Sequence, residues 1–302
     1  MKQLVVISGK GGTGKTTIVG SFAALAERPV LADCDVDAAD LHLLLAPAVR
    51  HTEDFTGPLR PVFDKRLCTG CGLCVEQCAF GALAPAGTAE GGCATRHVPH
   101  LDSIACEGCA LCSFVCPVQA ITMRRVVPGR WFVSDTRFGP LVHAKLGVAQ
   151  ENSGKLVTLV RNRATEIAEE TGAPWLLIDG SPGIGCPVIA SLAGADAVLI
   201  VTEPTLSGKS DLGRVARLAA HFGIPTLVCV NKWDINEALA CETEAESEAG
   251  GCRVVGRIPY DDAVPRSIVQ GVPLVEHDDG PAARAVRALW RQIANGCNTL
   301  VG

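Results

Sequence analysis

Short apolar runs alternate with longer amphipathic stretches over most of this chain. The runs are rich in β-branched residues and end at turn residues or charges, which is typical of strands buried on both faces of a parallel sheet. They predict strands at Leu4–Ile7, Pro29–Ala32, Leu156–Val160, Trp175–Ile178, Ala197–Val201 and Thr226–Val230. The stretches between them predict helices at Gly14–Ala26, Asn162–Thr171, Leu206–Phe222, Asn236–Ala249 and Pro281–Ala294. This alternation predicts an α/β fold with a doubly wound, mainly parallel sheet.

The alternation stops near Pro58 and resumes near Val126. The stretch between them holds two cysteine runs among glycines and prolines and shows little helical periodicity. We therefore predict a small inserted domain at residues 59–126, within an α/β domain built from residues 1–58 and 127–302.

Composition and charge exclude several classes of protein. Of 302 residues, 48% are hydrophobic and 20% are charged, so a packed core is expected and disorder is not. The net charge of −5, without a Lys/Arg-rich block, argues against nucleic acid as a partner. No segment is long and apolar enough to span a membrane. The C-terminal helix is predicted to pack on the sheet, so membrane binding is not expected. Without a signal peptide, the expected location is cytoplasmic.

A glycine-rich loop follows the first predicted strand. Residues Gly9–Thr16 match the phosphate-loop pattern G-x-x-x-x-G-K-[ST] and open a predicted helix, which is the context this motif requires. Backbone N–H groups of such a loop bind phosphate, while Lys15 is expected to reach the β/γ-phosphates and Thr16 to ligate Mg²⁺. The predicted nucleotide-binding residues of the loop are Gly9, Lys10, Gly11, Gly12, Thr13, Gly14, Lys15, Thr16 and Thr17.

Polar residues follow three other predicted strands, where open α/β sheets bind ligands. Asp33 and Asp35 come after the second strand, and Asp179 comes after the strand at Trp175–Ile178. An alternative role for one of Asp33, Asp35 and Asp37 is to cap the N-terminus of a helix at Ala38–Leu45. Asn231 opens the string Asn-Lys-Trp-Asp, which also fits the N-K-x-D pattern by which GTPases read guanine, so GTP stays open beside ATP.

The loop with its early lysine, Lys10, is a deviant Walker A motif and resembles the MinD/ParA/Mrp family of P-loop ATPases. The resemblance implies ATP hydrolysis and an ATP-dependent homodimer, in which Lys10 reaches the partner's nucleotide. It implies that Lys10, Lys15 and Asp35 are catalytic, with Asp35 orienting the attacking water. It also implies that Thr16, Asp33 and Asp179 serve Mg²⁺ and that Asn231 contacts adenine.

The two cysteine runs indicate a second kind of site, one that binds metal through thiolates. Cys68, Cys71, Cys74 and Cys78 have the spacing C-x2-C-x2-C-x3-C, which Cys106, Cys109, Cys112 and Cys116 repeat. Bacterial ferredoxins bind [4Fe–4S] clusters with this run, and the fourth cysteine ligates the other cluster. The implied ligand sets are Cys68, Cys71, Cys74 and Cys116 for one cluster and Cys78, Cys106, Cys109 and Cys112 for the other. Structural zinc sites also use C-x2-C pairs, but a zinc ion needs only four ligands and does not require two runs that each have three cysteines at x2 spacing.

The whole chain thus resembles MinD-like ATPases with an inserted two-cluster bacterial-ferredoxin-like domain, proteins often labelled cobyrinic acid a,c-diamide synthases. Two functions follow from the resemblance. In the first, Mg²⁺-dependent ATP hydrolysis gates electron transfer from the clusters to an unidentified redox or metallocentre protein. In the second, the chain is an assembly or positioning ATPase whose clusters are structural or sense redox state. Cys186, seven residues after Asp179, is a weaker candidate for a further cluster ligand.

Overall fold

The computed structural model describes residues 1–57, 59–85, 98–103, 105–147 and 154–296. The chain forms two compact units. The larger unit comprises Met1–Glu53, Arg130–Leu146 and Asn152–Gly302, and the other, here called the cysteine unit, comprises Asp54–Gly129 and Gly147–Glu151. The cysteine unit contains the whole predicted insertion, residues 59–126.

The strands include those predicted from the apolar runs and several others. They are β1 (Lys2–Ile7), β2 (Val30–Asp33), β3 (Ala48–Phe55), β4 (Leu59–Phe63), β5 (Leu83–Ala84), β6 (His100–Leu101), β7 (Ile121–Arg125), β8 (Gly129–Asp135), β9 (Pro140–Leu146), β10 (Trp175–Asp179), β11 (Ala197–Thr202), β12 (Thr226–Asn231) and β13 (Arg253–Ile258). Nine of them form one sheet in the order β13-β12-β11-β1-β10-β2-β9-β8-β3. The pairs from β13 to β9 are parallel, as the alternating pattern predicted.

The helices cover the sheet or connect its strands. They are α1 (Lys15–Leu25), α2 (Leu41–Leu45), α3 (Leu73–Glu76), α4 (Leu111–Phe114), α5 (Gly154–Thr171), α6 (Cys186–Leu192), α7 (Leu206–His221), α8 (Glu237–Ala249), α9 (Ala263–Gln270), α10 (Leu274–His277) and α11 (Pro281–Gly296). The strand predicted at Leu156–Val160 is wrong, because these residues belong to α5.

The core of the larger unit lies between its sheet and helices. Every residue of β10 and β11 is buried, and so is most of α1. Phe22 of α1 and Trp175 of β10 each lie with ring centroids 5.0 Å from Trp290 of α11. Aromatic side chains of this size supply much of the apolar area that a core buries. The docked C-terminal helix agrees with the sequence-based prediction for Pro281–Ala294.

The cysteine unit is a duplicated α+β arrangement. Strands β4 and β7 pair antiparallel, as do β5 and β6, and each half adds one short helix, α3 or α4. Left-handed backbone recurs at an offset of 38 residues, in the pairs Gly70/Gly108, Gly72/Ala110 and Gly81/Gln119. The halves also exchange equivalent hydrogen bonds, since the N–H of Asp64 donates to the carbonyl of Ala120 and that of Asp102 to the carbonyl of Ala82. The repeat in the cysteine spacing is therefore a repeat in backbone structure.

Candidate functional site

The glycine loop lies between β1 and α1, at the carboxyl edge of the sheet. Gly12 and Gly14 have φ of 79° and 94°, a region that favours glycine. A Cβ on Gly9 would lie 2.1 Å from the Cβ of Asp211, and one on Gly14 would lie 2.6 Å from Nδ2 of Asn231. The loop thus requires glycine for both its turns and its close contacts.

Lys15 and Asp35 face each other across this loop. The Lys15 ammonium lies 3.2 Å from Oδ2 of Asp35, and the Lys15 side chain is only 5% exposed. Burial raises the pKa of the Asp35 carboxyl, and the charge of Lys15 opposes the rise. The structure therefore brings together two of the three predicted catalytic residues.

Asp179 ends β10 beside the loop and is completely buried. Among the described residues, neither of its carboxylate oxygens accepts a hydrogen bond of normal geometry. Burial raises the pKa of Asp179 to about 6, while the Lys15 charge and the nearby Thr16 hydroxyl oppose the rise. A buried carboxylate without partners is costly unless a cation or donor satisfies it, so this position fits a Mg²⁺ site.

Asp33 is also fully buried, but its oxygens are occupied. Oδ1 accepts the N–H of Asp35 and Oδ2 accepts the N–H of Leu41, each at 3.2 Å. Burial, followed by the charges of Asp179 and Asp35, raises the pKa of Asp33 well above its usual value. Asp33 thus fixes the loop that carries Asp35 and binds the first N–H of α2, while the N-cap residue of α2 is Asp40, whose side chain makes no cap hydrogen bond.

Lys10 is held within its own chain. Its ammonium lies 3.4 Å from one carboxylate oxygen of Glu203, whose other oxygen lies 2.6 Å from the ammonium of Lys232. Glu203 follows β11, at the same edge of the sheet. Glu203 was not predicted from the sequence, although, like Asp33 and Asp179, it is a carboxylate at the end of a buried parallel strand.

Asn231 supports the glycine loop from the end of β12. Its Nδ2 donates to the carbonyl of Thr13 at 2.8 Å, and its Oδ1 accepts the N–H of Lys232. Asp234, the last residue of the N-K-x-D string, accepts the N–H of Tyr260 at 2.7 Å. One oxygen of the carboxylate that would read guanine is therefore already engaged, which favours adenine.

Each predicted cluster site corresponds to a cavity in the cysteine unit. The first cavity has a volume of about 310 Å³ and is lined by Cys68, Cys71, Cys74 and Cys116. The second is smaller, about 20 Å³, and is lined by Cys78, Cys106, Cys109 and Cys112. In both, three cysteines come from one run and the fourth comes from the other, as the ferredoxin spacing implies.

The fourth cysteine of each run occupies an equivalent environment. Sγ of Cys78 accepts the N–H of Ala82, and Sγ of Cys116 accepts the N–H of Ala120, both at 3.3 Å. Such bonds stabilise charge on sulfur and tune cluster potentials. In the described part of the chain, no three His, Cys, Asp or Glu side chains meet closely enough to hold a single metal ion. Thiolates bind a four-iron cube at its corners, so they need not meet at one point.

The remaining cysteines are dispersed. Cys34 and Cys229 are fully buried, Cys252 is half-buried, and Cys186 and Cys241 are exposed. Cys34 and Cys229 are thus small apolar residues of the core. Cys186 begins α6 and stays a prediction as a ligand, whereas Cys93 and Cys297 lie outside the described residues.

Among the described residues, we find no helix with the length and apolar character needed to cross a bilayer.

A parallel sheet whose first strand leads through a glycine loop into a helix, beside a buried lysine and carboxylates, defines a P-loop nucleotide-binding protein. The chain belongs to the CbiA family, the CobQ/CobB/MinD/ParA nucleotide binding domain, whose profile matches residues 4–274. It is a P-loop ATPase of the MinD/ParA type.

Individual proteins resemble the chain over different lengths. An uncharacterised protein of Methanocaldococcus jannaschii is 28% identical over 295 residues, 96% of either chain. The iron-sulfur cluster carrier protein of Pyrococcus horikoshii is 26% identical over 163 residues, 49% of this chain and 55% of the carrier. The septum site-determining protein MinD of Pyrococcus horikoshii, solved with Mg-ADP, has a TM-score of 0.59 at 14% identity and covers 99% of this chain and 98% of its own. That last likeness concerns the fold alone.

Proposed function

We propose that this ATPase couples Mg²⁺-dependent ATP hydrolysis to electron transfer through two [4Fe–4S] clusters held by an inserted ferredoxin-like domain. The electrons pass to a partner protein or metallocentre. The observation that carries the proposal is that each of two cavities is lined by three cysteines of one run and the fourth cysteine of the other run. When bound, the clusters supply one-electron redox chemistry; the chain supplies the thiolates and the N–H donors to sulfur.

At the nucleotide, the roles follow from burial and charge. Lys15 neutralises phosphate charge, and the Thr16 hydroxyl with the unpartnered carboxylate of Asp179 serves Mg²⁺. Asp35, held by Lys15, is positioned to orient the attacking water once phosphate oxygens draw the ammonium away. Asp33 acts from outside the metal's inner shell, because both its oxygens already accept backbone N–H groups.

Cluster binding is tested first. Anaerobically reconstituted wild-type protein should contain iron and labile sulfide in equal amounts and absorb near ~400 nm. Cys74→Ser should lower the iron content by half or more, whereas Cys241→Ser, an exposed cysteine of the larger unit, should leave it unchanged. Zinc without sulfide in the wild-type protein would refute the redox proposal.

Coupling is tested by redox titration with and without a non-hydrolysable ATP analogue. The analogue should shift a cluster potential or change the rate of cluster oxidation, and Lys15→Ala should abolish both this effect and ATP hydrolysis. Clusters that bind but ignore the nucleotide would favour the second function, an assembly or positioning ATPase. The similarity to an iron-sulfur cluster carrier protein supports this second function.

An ATP-dependent homodimer is part of the proposal. Lys10 leaves Glu203 in the dimer and contacts the partner's nucleotide. Lys10→Ala should therefore bind ATP but remain monomeric in sedimentation experiments with ATP, whereas wild-type protein dimerises. Equal dimerisation of the two proteins would remove this role from Lys10.

A further inference from the structure

Three arginines lie together at one end of the β4–β7 ribbon in the cysteine unit. Arg60 of β4 lies directly opposite Arg124 of β7, and Arg125 lies opposite Leu59. Arg124 and Arg125 are exposed. Among the described residues, neither forms an ion pair or a side-chain hydrogen bond, and Arg60 bonds only to a carbonyl. We call these three residues the arginine end.

This arrangement is unfavourable for the isolated protein. Like charges directly opposite each other on paired strands are destabilising, and no carboxylate of the described chain compensates them by an ion pair. The chain as a whole carries a net charge of −5, so the arginine end is a local exception. Departures from local rules concentrate at functional sites, which makes a binding role the natural explanation.

The arginine end adjoins the second cysteine cavity. Nη1 of Arg60 donates to the carbonyl of Cys106 at 2.5 Å. A Cβ on Gly108 would lie 2.5 Å from the carbonyl oxygen of Leu59, so β4 packs directly on the second cysteine loop. Met123, next to Arg124, lines the second cavity. The opposite end of the ribbon, at Phe63, lines the first cavity instead.

We propose that the arginine end is the docking surface through which the second cluster exchanges electrons with an acidic electron carrier. The inference rests on the proposed function, since it needs a cluster in the second cavity. Carboxylates of the carrier would pair with Arg124, which relieves its repulsion with Arg60, and with Arg125 at the end of the same strand. Complementary charge mainly accelerates the encounter of two proteins, and this acceleration falls as salt rises. One exposed carboxylate, Glu107, lines the same cavity.

The assay uses a defined electron donor and two defined electron acceptors. Dithionite reduces the cluster by one electron, and the reduced cluster passes that electron to the oxidised flavin of an acidic flavodoxin, which serves as the probe. A basic cytochrome c, whose ferric haem takes one electron, serves as the probe of opposite charge. No bond between heavy atoms forms or breaks.

The test measures both reactions by anaerobic stopped flow at low and high salt. Arg124→Glu/Arg125→Glu should reduce the flavodoxin at least tenfold more slowly than wild type at low salt, and cytochrome c faster. Arg60→Gln keeps a donor for the Cys106 carbonyl but removes a charge, so a smaller loss is expected. The control Arg217→Glu/Arg266→Glu makes the same change of net charge on exposed arginines of α7 and α9 and should match wild type.

Iron and sulfide content separates the possible failures. Wild-type protein without clusters would overturn the proposed function, and this inference with it. Full clusters in every variant, with flavodoxin rates equal to wild type, would overturn the docking surface alone. Loss of binding to a single-stranded oligonucleotide in the double variant, with unchanged electron transfer, would assign the arginines to nucleic acid and also overturn it.

Discussion

Asp179 is the residue of the candidate site whose surroundings best fit a bound cation. Its carboxylate is fully buried, and no described residue donates a well-formed hydrogen bond to it. Leaving such a group unsatisfied costs ~1–3 kcal/mol or more. The hydroxyl of Thr13, in the loop itself, is also buried, and it has no hydrogen-bond partner in the part of the chain that the structure describes. Both buried groups lie at the same edge of the sheet, where a cation and phosphate oxygens would satisfy them.

His143 predicts a pH dependence of stability. It is buried on β9 between the rings of Phe132 and His42, and its Nε2 lies 2.9 Å from Oγ of Ser134. Burial, helped by His42, lowers its pKa to about 4. The unfolded chain, with a histidine pKa of ~6.5, binds the proton first, so the contribution of His143 to the free energy of unfolding decreases as pH falls from ~6.5 to 4, by up to about 3 kcal/mol.

The measurement is urea unfolding at several pH values. Between pH ~6.5 and 4, the free energy of unfolding of His143→Gln should fall less than that of wild type, because its amide cannot titrate but can still bond Ser134. His221→Gln, an exposed histidine at the end of α7, is the control and should keep the wild-type slope. An unchanged slope in His143→Gln would assign the decline to other groups.

Two glycines of the phosphate loop should respond differently to alanine. Gly14→Ala combines a φ of 94° with a contact 2.6 Å from the Asn231 amide, which is bonded to the carbonyl of Thr13. Strain and the lost hydrogen bond together should cost about 2–3 kcal/mol. Gly11→Ala meets nothing within 4 Å and should change stability by about 0.5 kcal/mol or less. Thermal unfolding without nucleotide measures both, and equal losses would contradict the role of the close contact.

At the scale of elements, the packing of β4 on the second cysteine loop gives a matched comparison. Gly108 and Gly72 both have left-handed backbone, with φ of 69° and 80°. A Cβ on Gly108 would lie 2.5 Å from the carbonyl oxygen of Leu59, whereas one on Gly72 has open space. Gly108→Ala should therefore cost about 1–3 kcal/mol more than Gly72→Ala and lower iron content further. Iron analysis and unfolding of the reconstituted proteins check this; equal behaviour would mean that the contact is easily relieved.

Some elements could be read from the sequence and others could not. Strands β1, β2, β10, β11 and β12 are short apolar runs and were predicted. Helix α5 was misread at its start because Leu156, Val157 and Val160 resemble a strand, although Ala164 and Ile167 continue them with helical spacing. Strand β3 is exposed along nearly its whole length, so no hydrophobic pattern marks it.

At the scale of the molecule, the insertion has closely spaced ends. The N–H of Gly57 donates to the carbonyl of Val126 at 2.9 Å, so the chain enters and leaves the cysteine unit at nearly the same point. Insertions are tolerated at such positions. Replacing residues 58–125 by a short Gly/Ser linker should give a folded protein that hydrolyses ATP within about threefold of wild type and contains no iron. ATPase assays and circular dichroism measure this, and an insoluble product would show that the larger unit needs the insertion to fold.

The candidate site was predictable where function depends on spacing along the chain. The phosphate loop and both cysteine runs are such motifs, and the structure places each set around one loop or cavity. Contacts made by residues distant in sequence were not predictable. Glu203 binds Lys10 from another strand, and Asn231 reaches the loop carbonyl of Thr13. These depend on the order of strands in the sheet, which no local pattern encodes.

The exchange of the fourth cysteine between the two runs has a consequence for durability. Cys78 faces the cavity of the second run and Cys116 that of the first. If the proposed clusters are bound, neither half-repeat supplies all four ligands of its own cluster, so the two clusters should be inserted together or not at all. Oxidative attack on one centre would also release a ligand-bearing turn of the other, making loss of colour in air a single concerted event.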